Sequence, residues 1–113
     1  MITKLFELLV GHALADFALQ SDWIAKNKNR NVSPSYVPAG QKITPTWFYV
    51  LSGHALVHGG VVYLITGSLI FGLVETVLHW MVDFLKCENK ISPHLDQFLH
   101  IYSKFIYALM LMW

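Results

Sequence analysis

The stretch Gly11-His12-Ala13-Leu14-Ala15-Asp16-Phe17-Ala18-Leu19-Gln20 lies inside a long apolar segment, yet it carries a histidine and an aspartate four residues apart. On a helix that spacing puts both side chains on one face, one turn above the other. The same spacing returns in His54/His58, His79/Asp83 and Asp96/His100. Four apolar segments thus each present one pair of metal-type side chains. The pattern predicts an all-α chain, a four-helix bundle with one such pair per helix.

Working outward, the 113 residues make a single domain. The chain is 55% hydrophobic and 13% charged, with a mean hydropathy of +0.47. Soluble domains carry about 25% charged residues, so an integral membrane protein is expected. A net charge of +1, with no basic helix interleaved with aromatics, points to no nucleic-acid partner. The single cysteine, Cys87, excludes an intramolecular disulfide and a Cys-rich zinc knuckle. No serine-nucleophile motif, phosphate-cradling glycine loop or dinucleotide fingerprint is present. Lys4 is a thin basic n-region without a small-residue cleavage site after it, so the first apolar segment is expected to stay in the protein.

Helices are expected at about 2–23, 47–66, 69–86 and 94–113, each near the ~20 residues that span a bilayer. Between the first two, Asn27, Asn29, Asn31, Pro34, Pro38, Gly40 and Pro45 break up helix, and Lys26, Lys28, Arg30 and Lys42 make the 24–46 loop basic. Trp47 and Tyr49 suit an interfacial aromatic belt. Gly53, Gly59 and Gly60 are expected to let helices approach closely. Gly67-Ser68 reads as a tight break, and Ser92-Pro93 as a helix start. The positive charges gather in the loop and in the 86–93 turn, with only Lys4 near the other side. The positive-inside rule then places both loops in the cytoplasm and both termini outside, as a multi-pass membrane protein.

The four pairs agree in depth. His12 and Asp16 lie eleven and seven residues before Trp23, and His54 and His58 lie seven and eleven after Trp47. His79 and Asp83 lie eight and four before Cys87, and Asp96 and His100 three and seven after Pro93. At about 1.5 Å per residue, every pair falls roughly 5–17 Å below the same face. A single such pair can be a structural hydrogen bond between helices, but four at one level amount to a site.

Buried charges in a bilayer are costly unless paired, hydrated or bound to an ion. Imidazole mixed with carboxylate suits a divalent transition metal, zinc first with manganese or iron as alternatives, over calcium or magnesium. The candidate ligands are His12, Asp16, His54, His58, His79, Asp83, Asp96 and His100. They exceed one tetrahedral zinc, so one or two ions are expected. Two metals can activate water and clamp a phosphodiester. Asp83 or Asp96 is the candidate base, and Lys86 the candidate for steadying negative charge, unless it only snorkels to the interface. Glu75, Gln20 and Gln97 are candidates for orienting ligands or touching substrate, with Glu75 alternatively a ligand itself or a paired buried acid, and Gln20 alternatively an interfacial cap. His94 is expected to be interfacial, and Glu7 to pair with Lys4.

The motif set His12-x3-Asp16-Phe17-x2-Gln20, His54-x3-His58, His79-x3-Asp83-x2-Lys86 and Asp96-Gln97-x2-His100, with the basic loop after the first piece, resembles the bacterial and phage membrane-protein family of unknown function 3307. The resemblance runs over nearly the whole chain. It is similar, more distantly, to inner-membrane metal-dependent hydrolases, which are grouped with helical zinc phospholipase C and P1 nuclease enzymes. That likeness implies phosphoester hydrolysis, with a lipid head group or small phosphoester as substrate.

The expected function is therefore a membrane-embedded, metal-dependent phosphoester hydrolase open toward the cytoplasm, with the lipid bilayer and a second copy of the chain as candidate partners. An ion or proton conduit, or a small interaction protein such as a phage factor acting on a host membrane protein, would use the same residue types. Against the conduit, the segments beyond Glu75 are nearly all apolar.

Overall fold

The computed structural model describes residues 1–32, 38–42 and 45–113. Within them the chain is all-helical and contains no strand. Helix α1 covers Ile2–Ala13 and runs into a π-helical turn at Leu14–Ala18; α2 covers Asp22–Asn27, α3 Trp47–Thr66, α4 Leu69–Cys87 and α5 Pro93–Met110. Parts 33–37 and 43–44 of the expected loop, Pro34 among them, lie outside the described residues.

The helix expected over 2–23 is interrupted. Leu19 N donates to Leu14 O at 2.8 Å, a bond five residues back that widens the turn into a π-bulge. The chain then leaves the helix, and Ser21 starts a new one by accepting a hydrogen bond from Ile24 N at 3.2 Å. A serine between Gln20 and Asp22 competes for backbone groups and favours a cap over helix continuation. Helix α2 therefore occupies the first part of the segment expected to be loop.

Helix α3 stops at Gly67, whose φ of 70° is left-handed and suits glycine. Ser68 then caps α4 by accepting from Phe71 N at 3.3 Å. The two helices run back against each other at Gly59 and Gly72. A Cβ on Gly59 would lie 2.5 Å from Gly72 O, and one on Gly72 would lie 2.9 Å from Gly59 O. Gly53 and Gly60, expected to share this role, have nothing within 4 Å of such a Cβ. Backbone contact is thus made at one expected glycine and one unexpected. Helix α5 begins with Ser92 accepting from Leu95 N at 3.1 Å, and with Pro93 in its first turn.

Among the described residues, buried polar and charged side chains outnumber buried hydrophobic ones, whereas Ile2, Phe6, Phe17, Leu56, Leu64, Ile70, Leu73 and Phe98 are more than half exposed. The polar interior is closed at one end by an apolar cluster of Leu8, Val62, Tyr107 and Ala108, flanked by Leu5, Ile65 and Phe71. By length and composition one described helix, α3, can cross a membrane, where four spans were expected. The others fall short for physical reasons. Helix α1 has 12 residues before the bulge, and α4 and α5 carry the very charges that line the interior.

Candidate metal centre

Each surrounding element contributes to the polar interior. Helix α1 ends with His12, the π turn carries Asp16, and α3 contributes His54 and His58. Helix α4 contributes Glu75, His79 and Asp83, and α5 contributes Asp96, Gln97, His100 and Lys104. Apart from Gln97, which is partly buried, all are buried. The four pairs meet in one contiguous cluster.

Four residues converge most closely. Asp16, His54, His58 and His79 each offer one ligand atom, and these atoms lie within 4.8 Å of one another. Asp16 Oδ1 lies 3.4 Å from His54 Nε2 and 3.4 Å from His58 Nε2. The His58 and His79 rings stack at 3.5 Å with a 17° tilt, and His79 stacks in turn on His100 at 4.2 Å.

The hydrogen bonding of these rings tests whether an ion fits. His54 Nε2, His58 Nε2 and both nitrogens of His79 are buried without a hydrogen-bond partner of good geometry. Each unsatisfied buried group costs about 1–3 kcal/mol, and a cluster of them in one place needs a reason. A divalent ion accepts imidazole lone pairs directly, and three imidazoles with one carboxylate make a four-ligand set of the kind zinc takes. The residues fit, and the cluster could hold a metal ion. A second group, Glu75, His79 and His100, has the same convergence and shares His79 with the first.

The remaining candidates are held mainly by protein groups, while His12 Nδ1 and Asp83 Oδ1 are also buried without a hydrogen-bond partner of good geometry. Gln97 Nε2 donates to Asp16 Oδ2 at 2.7 Å and to Asp96 Oδ2 at 3.2 Å, while Gln97 Oε1 lies 3.1 Å from His12 Nε2. His100 Nε2 lies 3.1 Å from Asp96 Oδ1. Asp83 is held between two ammonium groups, Lys28 Nζ at 2.6 Å from Oδ2 and Lys86 Nζ at 3.1 Å from Oδ1. Lys86 also lies 3.4 Å from Asp96. Gln20 turns its amide to the Asp16 carbonyl at 3.0 Å and accepts from Lys28 at 2.5 Å. His94 is exposed, and Lys4 pairs with Glu7 at 2.9 Å. Of the eight expected ligands, four converge in the first group and His100 joins the second, while His12, Asp83 and Asp96 lie around them against the protein groups just named.

The model of the family described as "Protein of unknown function (DUF3307)" matches residues 4–113. The chain belongs to that family. No curated protein and no solved structure matches the chain. The stretch shared with the DUF3307 family contains every residue of the cluster, from His12 to Lys104.

Two buried lysines were missed by sequence reasoning. Lys104 Nζ donates to Glu75 Oε1 at 2.5 Å, and Tyr107 OH donates to Glu75 Oε2 at 3.0 Å. A signal existed, because Lys104 follows His100 by four residues just as Glu75 precedes His79 by four, continuing each ladder one turn inward. Lys28, counted above as a cytoplasmic loop charge, is instead 2% exposed inside the cluster. No periodicity marks it. The turn beyond is tied down by Asn31 Nδ2, which donates to Cys87 O at 3.1 Å, and by an Arg30–Glu88 ion pair. The hydrogen bond from Arg30 holds the Glu88 carboxyl below the usual carboxylate range.

Proposed function

We propose that the chain is a membrane-embedded protein that binds one divalent transition metal between Asp16, His54, His58 and His79, and that it hydrolyses a phosphoester at that ion. The observation that carries this reading is the convergence of four buried ligand atoms on a point where three imidazoles have unsatisfied nitrogens. One ion is favoured over two, because the carboxylate of the overlapping Glu75 group is already neutralised by Lys104. Zinc suits the donor set best.

Membrane embedding is supported by the inverted distribution of side chains. Soluble proteins rarely expose large contiguous apolar surface, and here apolar residues cover the outside of every long helix while charges fill the inside. Such helices cross a bilayer with their charges facing one another, which a simple hydropathy count does not credit. In this reading the α2 end, with Lys86 and the basic loop, faces the cytoplasm of a bacterial inner membrane.

A metal held there supplies Lewis-acid activation of water and of a phosphoryl oxygen. Asp83 lies 3.6 Å from His54 Nε2 and 3.8 Å from His79 Nε2, so its carboxylate is the group placed to take a proton beside the ligands. Lys28 and Lys86 flank it and steady an anionic oxygen. Gln97 orients Asp16 and His12. Elemental analysis of detergent-purified protein tests the reading, with hydrolysis of bis-p-nitrophenyl phosphate as the activity probe. One equivalent of transition metal is expected, lost in His58→Ala together with hydrolysis; metal-free wild-type protein would sink it. A proton conduit is disfavoured by the apolar Leu8, Val62, Tyr107 and Ala108 cluster, which closes the far end of the polar interior.

A further inference from the structure

A cleft of about 410 Å³ runs between α4 and α5. Ile70, Val74, Leu78 and Val82 form its α4 wall at four-residue spacing, and Ile106 and Met110 stand opposite on α5. Ser103 and Tyr107 also border it, but their hydroxyls turn away onto His100 O and Glu75 Oε2, so they present carbon to the cleft. One end is different. There the cleft reaches His100, and one turn beyond Val82 stands Lys86, a quarter exposed beside Asp83 and Asp96.

We propose that this cleft holds one acyl chain of a membrane phospholipid, with the phosphate at the Lys86–His100 end. The inference rests on the reading of the chain as membrane-embedded, and it names the substrate class of the same site. Three features select an acyl chain over a helix or a second copy. Ile70 and Val82 are twelve residues apart on the helix, about 18 Å at 1.5 Å per residue. One leaflet of hydrocarbon is about 15 Å, half of the ~30 Å core, so the cleft is about one leaflet long. The volume spread over that length leaves a furrow one extended chain wide, well short of the ~10 Å diameter of a helix. The polarity is also one-sided, with only hydrocarbon at one end and, just past the other, the partly exposed Lys86 ammonium, which Asp83 and Asp96 hold from the protein side. A lipid seated in this way brings its phosphate laterally to the edge of the imidazole cluster, since His100 stacks on His79.

The full chain is reconstituted into phosphatidylcholine vesicles containing phosphatidylglycerol that bears a diazirine on one acyl chain, and adducts are mapped by peptide mass spectrometry after irradiation. Adducts are expected to concentrate on the cleft-facing residues of α4 and α5. Leu78→Trp combined with Ile106→Trp should lower them by about tenfold or more, since the indoles displace at least two buried methylenes of the chain. Leu64→Trp, on the exposed face of α3, should leave them unchanged. Leu78→Phe provides a milder filling if the double variant fails to fold, with a smaller decrease expected. Lys86→Gln should reduce capture of the phosphatidylglycerol probe while keeping adducts in the cleft. Adducts spread evenly over all exposed apolar positions, or found between two copies of the chain, would overturn the inference. Flotation with an alkaline wash separates the two levels: a chain that leaves the vesicles defeats the membrane reading and this inference with it. A chain that stays, with evenly spread adducts, defeats this inference alone.

Discussion

Two buried charged groups sit within two helical turns of each other and are built on opposite principles. Around Glu75 every charge is answered: Lys104 on one oxygen, Tyr107 on the other, and Ser103 Oγ within 3.4 Å. Around Asp16 the arrangement is open, with histidine nitrogens that point at the same place and lack partners. Both carboxylates are buried. A satisfied network of this kind stabilises a fold, whereas an unsatisfied one is a cost that needs an external partner to offset it. The difference separates the part that holds the bundle together from the part that waits for an ion.

The largest effect should come from unbalancing the closed group. Lys104→Ala leaves Glu75 uncompensated and should cost about 3–5 kcal/mol, while Lys104→Met with Glu75→Leu should recover most of it; reversible denaturant unfolding in micelles reads both. A small loss in the single variant would break the distinction. Next comes the open group. Transition metal at a hundredfold excess over its Kd should stabilise the wild-type chain by about 2.7 kcal/mol, and His58→Ala or His79→Ala should abolish that gain. Thermal unfolding with and without metal makes the comparison, and an equal gain in the variants would place the ion elsewhere.

A finer probe is Gln97→Ala. Gln97 bridges Asp16 and His12 without belonging to the four convergent ligands, so metal affinity should fall about 10–100-fold in a chelator competition, with the metal-free chain destabilised by about 1–3 kcal/mol for a buried group left unpaired. The smallest effect is expected outside both groups. Arg30→Ala removes the hydrogen bond that holds the Glu88 carboxyl low, so its contribution is present above the unfolded carboxylate range and is lost as pH falls through the depressed folded value. Wild type and variant should differ slightly in unfolding midpoint near neutral pH and converge in acid. Metal content should not move.

Much of the site was legible because a helix converts spacing into direction. His54/His58 and His79/Asp83 stand on one face of α3 and α4 as their four-residue spacing requires, and Glu75, one turn before His79, is buried beside it. Two things were not legible. The first is the break after Asp16: His12 Nε2 and Asp16 Oδ2 lie 3.7 Å apart as their spacing requires, but the π turn at Leu14–Ala18 ends the helix that was expected to run on to Trp23. The second is Lys28. It enters from a segment with no hydrophobic period, and its burial depends on Asp83, 55 residues away.

The pattern of residues by itself determined that the chain is helical and that each long helix has a polar stripe, because both follow from local periodicity. Family membership was legible in the same motifs. Only the tertiary structure decided which stripes meet, that Asp16, His54, His58 and His79 converge while Asp83 goes to two lysines, and that Glu75 is closed off by Lys104. Those outcomes depend on distances between elements far apart in the chain. The close approach of α3 and α4 at Gly59 and Gly72 shows why: with no Cβ between them, the backbones come near enough for the His58 and His79 rings to stack.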